Sequence, residues 1–230
     1  NPVYVAGRDV DGTAAGVASI NISSLVANNS VLYVSKAAAG ATACSTTASN
    51  CEIMVFSISS STNPTYITGR DASASAAGTQ TLAVNNLTVN GSLLLAAKAG
   101  SATACSQTAG SAVGCELMVF DISSTTNPTY VAGRDVTGDS TGVGNLGINF
   151  VAATGSLAYV AKAGSATACS EVAGSATGCE LMVFDISSTT NPVFMRGVDA
   201  SLETSGELSL STTPIVVSTS TIMVGRAASA

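Results

Sequence analysis

The 230-residue chain has eight basic and 14 acidic residues, a net charge of −6, and neither His nor Trp. Nucleic-acid binding depends on clustered Lys and Arg, and Ser-His-Asp or Cys-His catalysis depends on His, so the composition disfavours both. Although 46% of the residues are hydrophobic, apolar runs such as residues 93–97 fall far short of the roughly 20 residues that a membrane-spanning helix needs. We therefore predict no nucleic-acid partner and no membrane insertion.

An internal repeat organises the chain. The phrase Asn-Pro-x-(Tyr/Phe) recurs at Asn1, Asn63, Asn127 and Asn191, with spacings of 62, 64 and 64 residues. Residues 98–130 and 162–194 differ at only five of 33 positions. Self-similarity at a fixed period indicates a repeat architecture. Because the first residues already belong to a repeat and no signal peptide precedes them, we expect a processed chain or part of a longer protein.

Short extended runs fill each unit. The chain opens with a run over 2–9 that matches the last run of the later units, and it closes with runs over 214–218 and 222–226. The third unit shows the complete set of four, at 146–153, 157–162, 180–186 and 193–195. All are rich in Val, Ile, Leu or aromatic residues and end at Gly, Asn, Ser or Pro, which is typical of β-strands. No window shows a capped helical period.

The third run of each unit, Glu-Leu-Met-Val-Phe at 180–184, is apolar on both of its faces. A strand covered on one side alternates apolar and polar residues, so this strand is predicted to lie between two layers. Four short strands with both faces covered indicate a propeller blade, although a sandwich or a solenoid stays open. We predict an all-β, β-propeller-like array of four-stranded antiparallel blades in a single repeat domain. Residues 1–10 form the last strand of a preceding blade, 11–72, 73–136 and 137–200 form three complete blades, and 201–230 form a partial fourth.

The segments GSLAYVAKAG (155–164) and ELMVFDISSTTNPVF (180–194) resemble the LVIVD-repeat propeller family. Blades of that family combine an aliphatic strand, a strand similar to G-N-Y-A-Y-V-A, and the phrase L-x-I-x-D-I-S-N-P. Residues 31–35, 93–97 and 121–123 fall in the corresponding places. The resemblance implies a propeller and a secreted or surface location in bacteria, but no activity. The unit here is longer than the roughly 40–45 residues of a common blade and contains an inserted cysteine loop.

Six cysteines fall in pairs, one pair per unit, between the second and third strands. An even number, a short separation and one pair per repeat favour three local disulfides. Each would stabilise its loop by about 2.5–3 kcal/mol in the chain-entropy model. A zinc site is the alternative, but the partners lack the short spacing of zinc knuckles and no His is present. The predicted disulfides are Cys44–Cys51, Cys105–Cys115 and Cys169–Cys179.

Most charged residues recur with the repeat. Adjacent residues of a strand point to opposite faces, so Arg134 and Asp135 should not pair with each other. We expect each to meet a charge on a neighbouring strand or blade, such as Glu116 or Lys162. Identical charges in every blade favour a structural network over a ring of binding sites. The recurring charges are Lys36, Lys98, Lys162 and Arg226, then Arg8, Arg70 and Arg134 with Asp9, Asp71 and Asp135, and finally Glu52, Glu116 and Glu180.

No motif with a clear chemical role emerges. Two acidic turns, Asp9-Val-Asp11-Gly12 and 135–139, resemble Ca²⁺-binding turns, but they lack the ligand series that ends in Glu, and we interpret them as turns held by their own Asp side chains. We predict no metal site, no cofactor and no catalytic residue. The aromatic residues are expected in the blade core: Phe56, Phe120, Phe184, Tyr4, Tyr66 and Tyr130. N-x-(Ser/Thr) sequons occur at Asn21, Asn28, Asn86 and Asn90.

Disulfides persist in oxidising compartments, so we expect an extracellular or cell-surface protein. The expected function is a non-enzymatic structural, adhesive or interaction scaffold. A glycan- or small-ligand-binding, lectin-like propeller is the alternative, and a hydrolase comes third. The partial terminal blades would expose unpaired strand edges, so we expect self-association or a cell-surface partner. Closure within one chain, a two-chain ring of about eight blades, a head-to-tail array and completion by flanking sequence all stay open.

Overall fold

The computed structural model describes residue 8 and residues 21–37, 43–44, 50–60, 62–124, 126–199, 212–218 and 221–226. These residues form 14 β-strands arranged in four antiparallel sheets. Helical structure among them is limited to short 3-10 turns in the cysteine loops, such as Ala112–Gly114 and Ala176–Gly178. None of the described helical segments is long and apolar enough to cross a bilayer.

Each of the first three sheets has four strands in chain order, as a meander. Sheet 1 contains β1 (Ile22–Asn28), β2 (Val31–Lys36), β3 (Ile53–Ser57) and β4 (Thr65–Arg70). Sheet 2 contains β5 (Val84–Asn90), β6 (Leu93–Lys98), β7 (Leu117–Asp121) and β8 (Thr129–Arg134). Sheet 3 contains β9 (Ile148–Thr154), β10 (Leu157–Lys162), β11 (Leu181–Asp185) and β12 (Val193–Val198). Sheet 4 is the pair β13 (Thr212–Val217) and β14 (Ile222–Arg226).

The first two strands of each complete sheet are joined by a two-residue turn that needs a left-handed backbone. The turn between β5 and β6 has Gly91 at φ +60°, and Gly155 has φ +57° at the same place in sheet 3. In sheet 1 the position holds Asn29, at φ +54°. Asn is one of the few non-Gly residues that adopts this conformation readily, so the hairpin keeps its turn with Asn in place of Gly.

A bulge and an aromatic pair recur at the outer strands. The register between the third and fourth strands shifts at Val55/Phe56, Val119/Phe120 and Val183/Phe184. The same Phe then meets an aromatic ring of the fourth strand edge to face, with centroids 5.7 Å apart in each of the three four-stranded sheets. The prediction that these rings belong to the core is confirmed for Phe56, Phe120, Phe184 and Tyr130, which are buried. Tyr66 is half-buried, and Tyr4 lies outside the described residues. The pairs are Phe56–Tyr66, Phe120–Tyr130 and Phe184–Phe194.

The sheets pack face to face through their first strands. β1 contacts β5, β5 contacts β9, and β9 contacts β13. The third strands β3 and β7 are buried at four consecutive residues, as expected for strands between two layers. β11 is less covered, with Leu181 and Val183 half-buried, because the sheet next to it has only two strands in the described residues. An all-β fold of four-stranded antiparallel sheets is therefore confirmed, and the propeller arrangement stays a prediction.

Candidate functional site

The three disulfides lie at the same place in each repeat, between the second and third strands. The cysteines pair within each loop, with Cα–Cα distances of 4.6, 4.4 and 4.4 Å for Cys44–Cys51, Cys105–Cys115 and Cys169–Cys179. No cysteine is free. Because all six cysteines are paired, none is left to bind zinc, which was the alternative that the sequence analysis considered.

Each disulfide packs directly on the glycine of the recurring Gly-Arg-Asp phrase. A Cβ built on Gly133 would lie 2.6 Å from Cys115 Cβ and 2.5 Å from Tyr130 Oη. Gly69 and Gly197 are equally close to Cys51 and Cys179. Glycine is therefore needed in the fourth strand because the bridge occupies the space of a side chain. The Tyr130 hydroxyl completes this contact by donating to Ser106 O at 2.8 Å.

The arginine of the same phrase reaches across to the next sheet and binds its Asn-Pro phrase. Arg70 Nη2 donates to Asn127 Oδ1 and to Pro128 O, both at 2.7 Å. Arg134 Nη2 donates to Asn191 Oδ1 at 2.6 Å. We call this contact the latch. It joins the two phrases that recur most clearly in the sequence.

Arg8 forms a latch of the same kind on sheet 1. Its Nε donates to Pro64 O at 2.7 Å, and its Nη2 donates to Asn63 Oδ1. In sheet 3 the arginine position of the phrase is occupied by Val198, and Arg196, two residues earlier, instead forms an exposed ion pair with Glu171. The latch is thus present at three consecutive places in the described chain.

The latch differs from what the sequence predicted for the arginines. Each was expected to meet a charged side chain, but the described hydrogen bonds of Arg70 and Arg134 go to neutral oxygens, which are amide and carbonyl oxygens and the Thr68 hydroxyl. The prediction is wrong for these hydrogen bonds, because the neighbouring Asn-Pro turn offers preorganised neutral acceptors. Both arginines are more than nine-tenths buried, so a guanidinium with several such acceptors is well satisfied there. The signal that could have found the latch was the shared period of the two phrases.

A buried lysine follows at the end of each second strand. Lys36, Lys98 and Lys162 are fully buried. Lys98 Nζ donates to Val113 O, and Lys162 Nζ donates to Thr177 O and, at 3.1 Å, to Ala176 O. These carbonyls belong to the 3-10 turns of the cysteine loops, so the ammonium groups tie those loops to the sheets.

Carboxylates on both sides balance the lysines. Burial lowers the pKa of Lys162 to about 8, against the opposing effect of Glu180, Asp135 and Glu116. Burial likewise lowers the pKa of Lys98, while Glu116 and, from the preceding sheet, Asp71 favour its charged form. Asp135 of sheet 2 thus acts on a lysine of sheet 3. The expectation that Asp135 meets a charge of the neighbouring repeat is supported by this electrostatic effect and stays a prediction as a direct contact.

The glutamate that follows each second cysteine binds backbone amides. Glu116 Oε1 accepts from Ser101 N at 3.0 Å, and its Oε2 accepts from Val136 N at 3.2 Å. Burial raises the pKa of Glu116, although Lys98 and the two amides oppose the shift. Glu52 and Glu180 make the corresponding contacts with Ala72 N and Ser165 N. These glutamates fix the cysteine loop and the end of the fourth strand to one another.

The aspartate of the phrase holds the turn that follows it. Asp71 Oδ1 accepts from Ser73 N, Ser73 Oγ and Ser75 N, and its Oδ2 accepts from Gln80 N at 2.8 Å. Asp135 and Asp139 likewise accept from backbone amides of their own loop. Within the described ranges no group of three His, Cys, Asp or Glu residues could hold a metal ion. The acidic turn at 135–139 is therefore organised by its own backbone, and Asp9, Asp11 and Gly12 lie outside the described residues.

Asparagines link the first strands of successive sheets. Asn86 is buried; its Oδ1 accepts from Val151 N at 3.1 Å and its Nδ2 donates to Ser24 Oγ at 3.3 Å, so one side chain touches three sheets. Asn90 Nδ2 donates to Gly155 O at 2.8 Å. Both asparagines belong to sequons, and both have their amide nitrogen engaged in the sheet stack.

Two open cavities lie beside the latches. One, of roughly 290 Å³, is lined by Arg70, Ser75, Asn127, Thr129 and Tyr130, among others. The other, of roughly 240 Å³, is lined by the corresponding Arg134, Asp139, Asn191, Val193 and Phe194. They are shallow and equivalent by the repeat. Because their arginines already bind the Asn-Pro turns, the polar groups left to a ligand are few.

Comparison with known proteins does not assign the chain to a family. Neither a protein-family model nor a curated protein matches it. Among solved structures, the computationally designed Ika4 protein is 12% identical over 98% of this chain and 99% of its own, with a TM-score of 0.49. The designed Ika8 protein is 14% identical over 89% of this chain and 42% of its own, with a TM-score of 0.47. The extracellular domain of BT4673 from B. thetaiotaomicron is 10% identical over 90% of this chain and 26% of its own, with a TM-score of 0.38. This chain thus spans less than half the length of two of these proteins, and with every score below 0.5 the similarities assign no function.

Proposed function

We propose that the protein is a non-enzymatic extracellular scaffold, a propeller-like array whose repeats are locked to one another and whose role is structural, adhesive or interaction-bearing. The observation that carries the proposal is the latch, in which Arg8, Arg70 and Arg134 bind the next Asn-Pro phrase in the same manner. A repeated contact of this kind stabilises an array from one end to the other.

The use of the charged residues supports the same function. Catalysis needs an acid, a base or a nucleophile that is exposed to substrate and poised for a distinct task. Here the lysines bind loop carbonyls, the glutamates accept backbone amides, and the aspartates hold turns. The lysines, glutamates and aspartates named here therefore have structural partners within the repeats.

The three disulfides support an extracellular location, because such bridges persist where thiols are not kept reduced. They close loops of Ala, Ser, Thr and Gly that have little apolar surface to bury. A stiff, weakly charged array of this composition suits a surface or a secreted layer. Bacterial origin and LVIVD membership stay part of the proposal.

Protease resistance and turnover together test the scaffold function. The oxidised chain should resist a broad-specificity protease, and substitution of a latch arginine such as R134A should shorten its lifetime. In parallel, chromogenic ester, phosphoester, peptide and glycoside substrates should show no turnover above buffer. Saturable turnover that a single Ser or Asp substitution abolishes would overturn the proposal in favour of a hydrolase.

A glycan- or small-ligand-binding role is the second candidate, favoured by the two equivalent cavities. Its test is a glycan array followed by a thermal-shift titration of any hit. Binding should weaken in T129V, which removes an exposed hydroxyl from one cavity, and persist in T103V, which removes an exposed hydroxyl from the cysteine loop of the same sheet, outside both cavities. Saturable binding with that pattern would replace the scaffold proposal with a lectin-like one.

A further inference from the structure

The first strands carry one apolar residue at the same repeat position, and its exposure changes along the stack. The residues are Leu25, Leu87, Val151 and Ile215, one in each of the four sheets. Leu87, Val151 and Ile215 are 4%, 1% and 2% exposed, whereas Leu25 is 64% exposed. Ile22 on the same strand is 49% exposed, against 0% for its equivalent Val84. We call the surface formed by Ile22 and Leu25 the entry face.

The second strands also carry an apolar residue at one repeat position, and it is buried in the first three sheets but exposed in the last. Tyr33, Leu95 and Tyr159 are 0%, 0% and 8% exposed, but their equivalent Met223 in sheet 4 is 60% exposed. Its partner across the hairpin, Val216, is 52% exposed. We call the surface formed by Val216 and Met223 the exit face.

Inside the stack these two positions bury each other at every interface. Leu87 lies in one apolar cluster with Tyr33 of sheet 1. Val151 clusters in the same way with Leu95 of sheet 2, and Ile215 with Tyr159 of sheet 3.

The entry face and the exit face are therefore the two halves of one interface that is closed three times within the chain. An apolar surface that is buried at every internal copy and open at both ends gains from meeting its complement.

The two faces do not cover each other within one chain, since Leu25 and Met223 both stay more than half exposed. The outer part of sheet 1 is already engaged, because Arg8 binds Asn63 and Pro64 next to β4. On sheet 1 the exposed apolar residues lie on the first strand, and on sheet 4 they lie on the first and second strands. These are the same strands that meet at the interfaces inside the chain.

We propose that the exit face of one chain binds the entry face of a second copy, so that the copies add head to tail. This inference rests on the scaffold function proposed above and names its partner. The contact is heterologous, because two different surfaces meet, so it generates a closed ring or an open filament according to the rotation per copy.

The experiment uses two variants of the 230-residue chain, each blocked at one face. L25D places a carboxylate on the entry face, and M223D places one on the exit face. The wild type should form species larger than the 22.5 kDa chain in sedimentation velocity and light scattering, in a concentration-dependent manner. Each variant alone should run as a monomer. An equimolar mixture should form a 1:1 dimer and nothing larger, since each chain keeps the face that the other needs.

V172D is the matched control, because Val172 is also strongly exposed, at 65%, but lies in a cysteine loop away from both faces. It should assemble as the wild type does. Circular dichroism and melting curves check that every variant is folded, so loss of assembly is not mistaken for unfolding.

A folded wild-type chain that stays monomeric at high micromolar concentration would assign the faces to another occupant and overturn the inference. So would a mixture of the two variants that does not pair, since assembly would then use one face with itself. Neither result affects the scaffold proposal, which is carried by the latch and tested separately by protease resistance and turnover.

Discussion

Arg70 and Asn127 are joined across the interface between sheets 1 and 2, with Arg70 Nη2 2.7 Å from Asn127 Oδ1. The two residues are 57 positions apart, and Arg134 and Asn191 repeat the contact with the same separation. The arginine of the Gly-Arg-Asp phrase thus binds the asparagine of the next Asn-Pro phrase, and this hydrogen bond joins consecutive sheets.

Removing a latch arginine should weaken the whole stack. In R134A the acceptors Asn191 Oδ1 and Gly133 O lose a buried charged donor. Hydrogen bonds to charged groups contribute about 1.5–3 kcal/mol each, so we expect a loss of roughly 2–4 kcal/mol in the free energy of unfolding. Urea unfolding followed by circular dichroism measures it.

R196A is the control for that variant, because Arg196 forms an exposed ion pair with Glu171, 3.4 Å long, in place of a latch. Such pairs contribute about 0–1 kcal/mol, so the control should unfold close to the wild-type midpoint. Equal losses in the two variants would contradict the role given to the latch.

Adding one methyl group next to the disulfide should also destabilise the protein. In G133A the new Cβ would lie 2.6 Å from Cys115 Cβ, and neither the bridge nor the strand can move away easily. Overpacking of this kind costs about 1–3 kcal/mol. G147A is matched, since the nearest atom to its new Cβ is 3.4 Å away. Thermal melts of the two variants should separate by several degrees, and a wild-type melt of G133A would argue against close packing of the bridge on the strand.

Removing a single disulfide should lower the free energy of unfolding of the whole protein. The pair Cys105–Cys115 closes a loop with a sequence separation of 10. The chain-entropy model gives about 2.5–3 kcal/mol for such a loop, so C105S/C115S should unfold at a clearly lower denaturant concentration. Adding reductant to the variant should lower the midpoint further, through the two bridges that remain. A double variant as stable as the wild type would show that the loop is held by Glu116 and Lys98 alone.

Because of the buried lysines, we expect the stability of the protein to rise with pH in the alkaline range. The pKa of Lys162 is lowered to about 8 in the folded protein, from 10.5. Between these two values the unfolded chain binds more protons than the folded one, so stability rises with pH across that window. One such lysine contributes a slope of up to about 1.4 kcal/mol per pH unit.

Urea midpoints measured from pH 8 to pH 10 test this slope. K162M should reduce the slope, because one of the titrating lysines is gone while Lys98, whose pKa is lowered in the same way, keeps the rest; R196M should leave the slope unchanged. A wild-type stability that falls steadily over the same range would contradict the assignment. Glu116 acts in the opposite sense below that window: its raised pKa makes stability fall as pH rises above the ordinary value of 4.5, and E116Q should remove that part of the profile.

The sequence by itself determined the repeat, the strands and the cysteine pairs, because these depend on short separations. Strand boundaries read from Val, Ile and turn residues agree with the structure to within a few positions; residues 157–162 coincide with β10, whereas the short run at 193–195 extends to Val198. Partners ten positions apart, such as Cys105 and Cys115, have no rival within their loop.

Only the tertiary structure decided how the repeats meet. The Gly-Arg-Asp and Asn-Pro phrases both recur along the chain, so periodicity alone cannot say which arginine binds which Asn-Pro phrase. Lys98 and Lys162 look like surface residues in the sequence, yet both are fully buried because loop carbonyls and carboxylates of two repeats surround them. Such environments exist only when two sheets stack, because the described hydrogen-bond acceptors of each ammonium come from its own repeat, whereas Asp71 and Asp135, which favour the charged lysines, come from the preceding one.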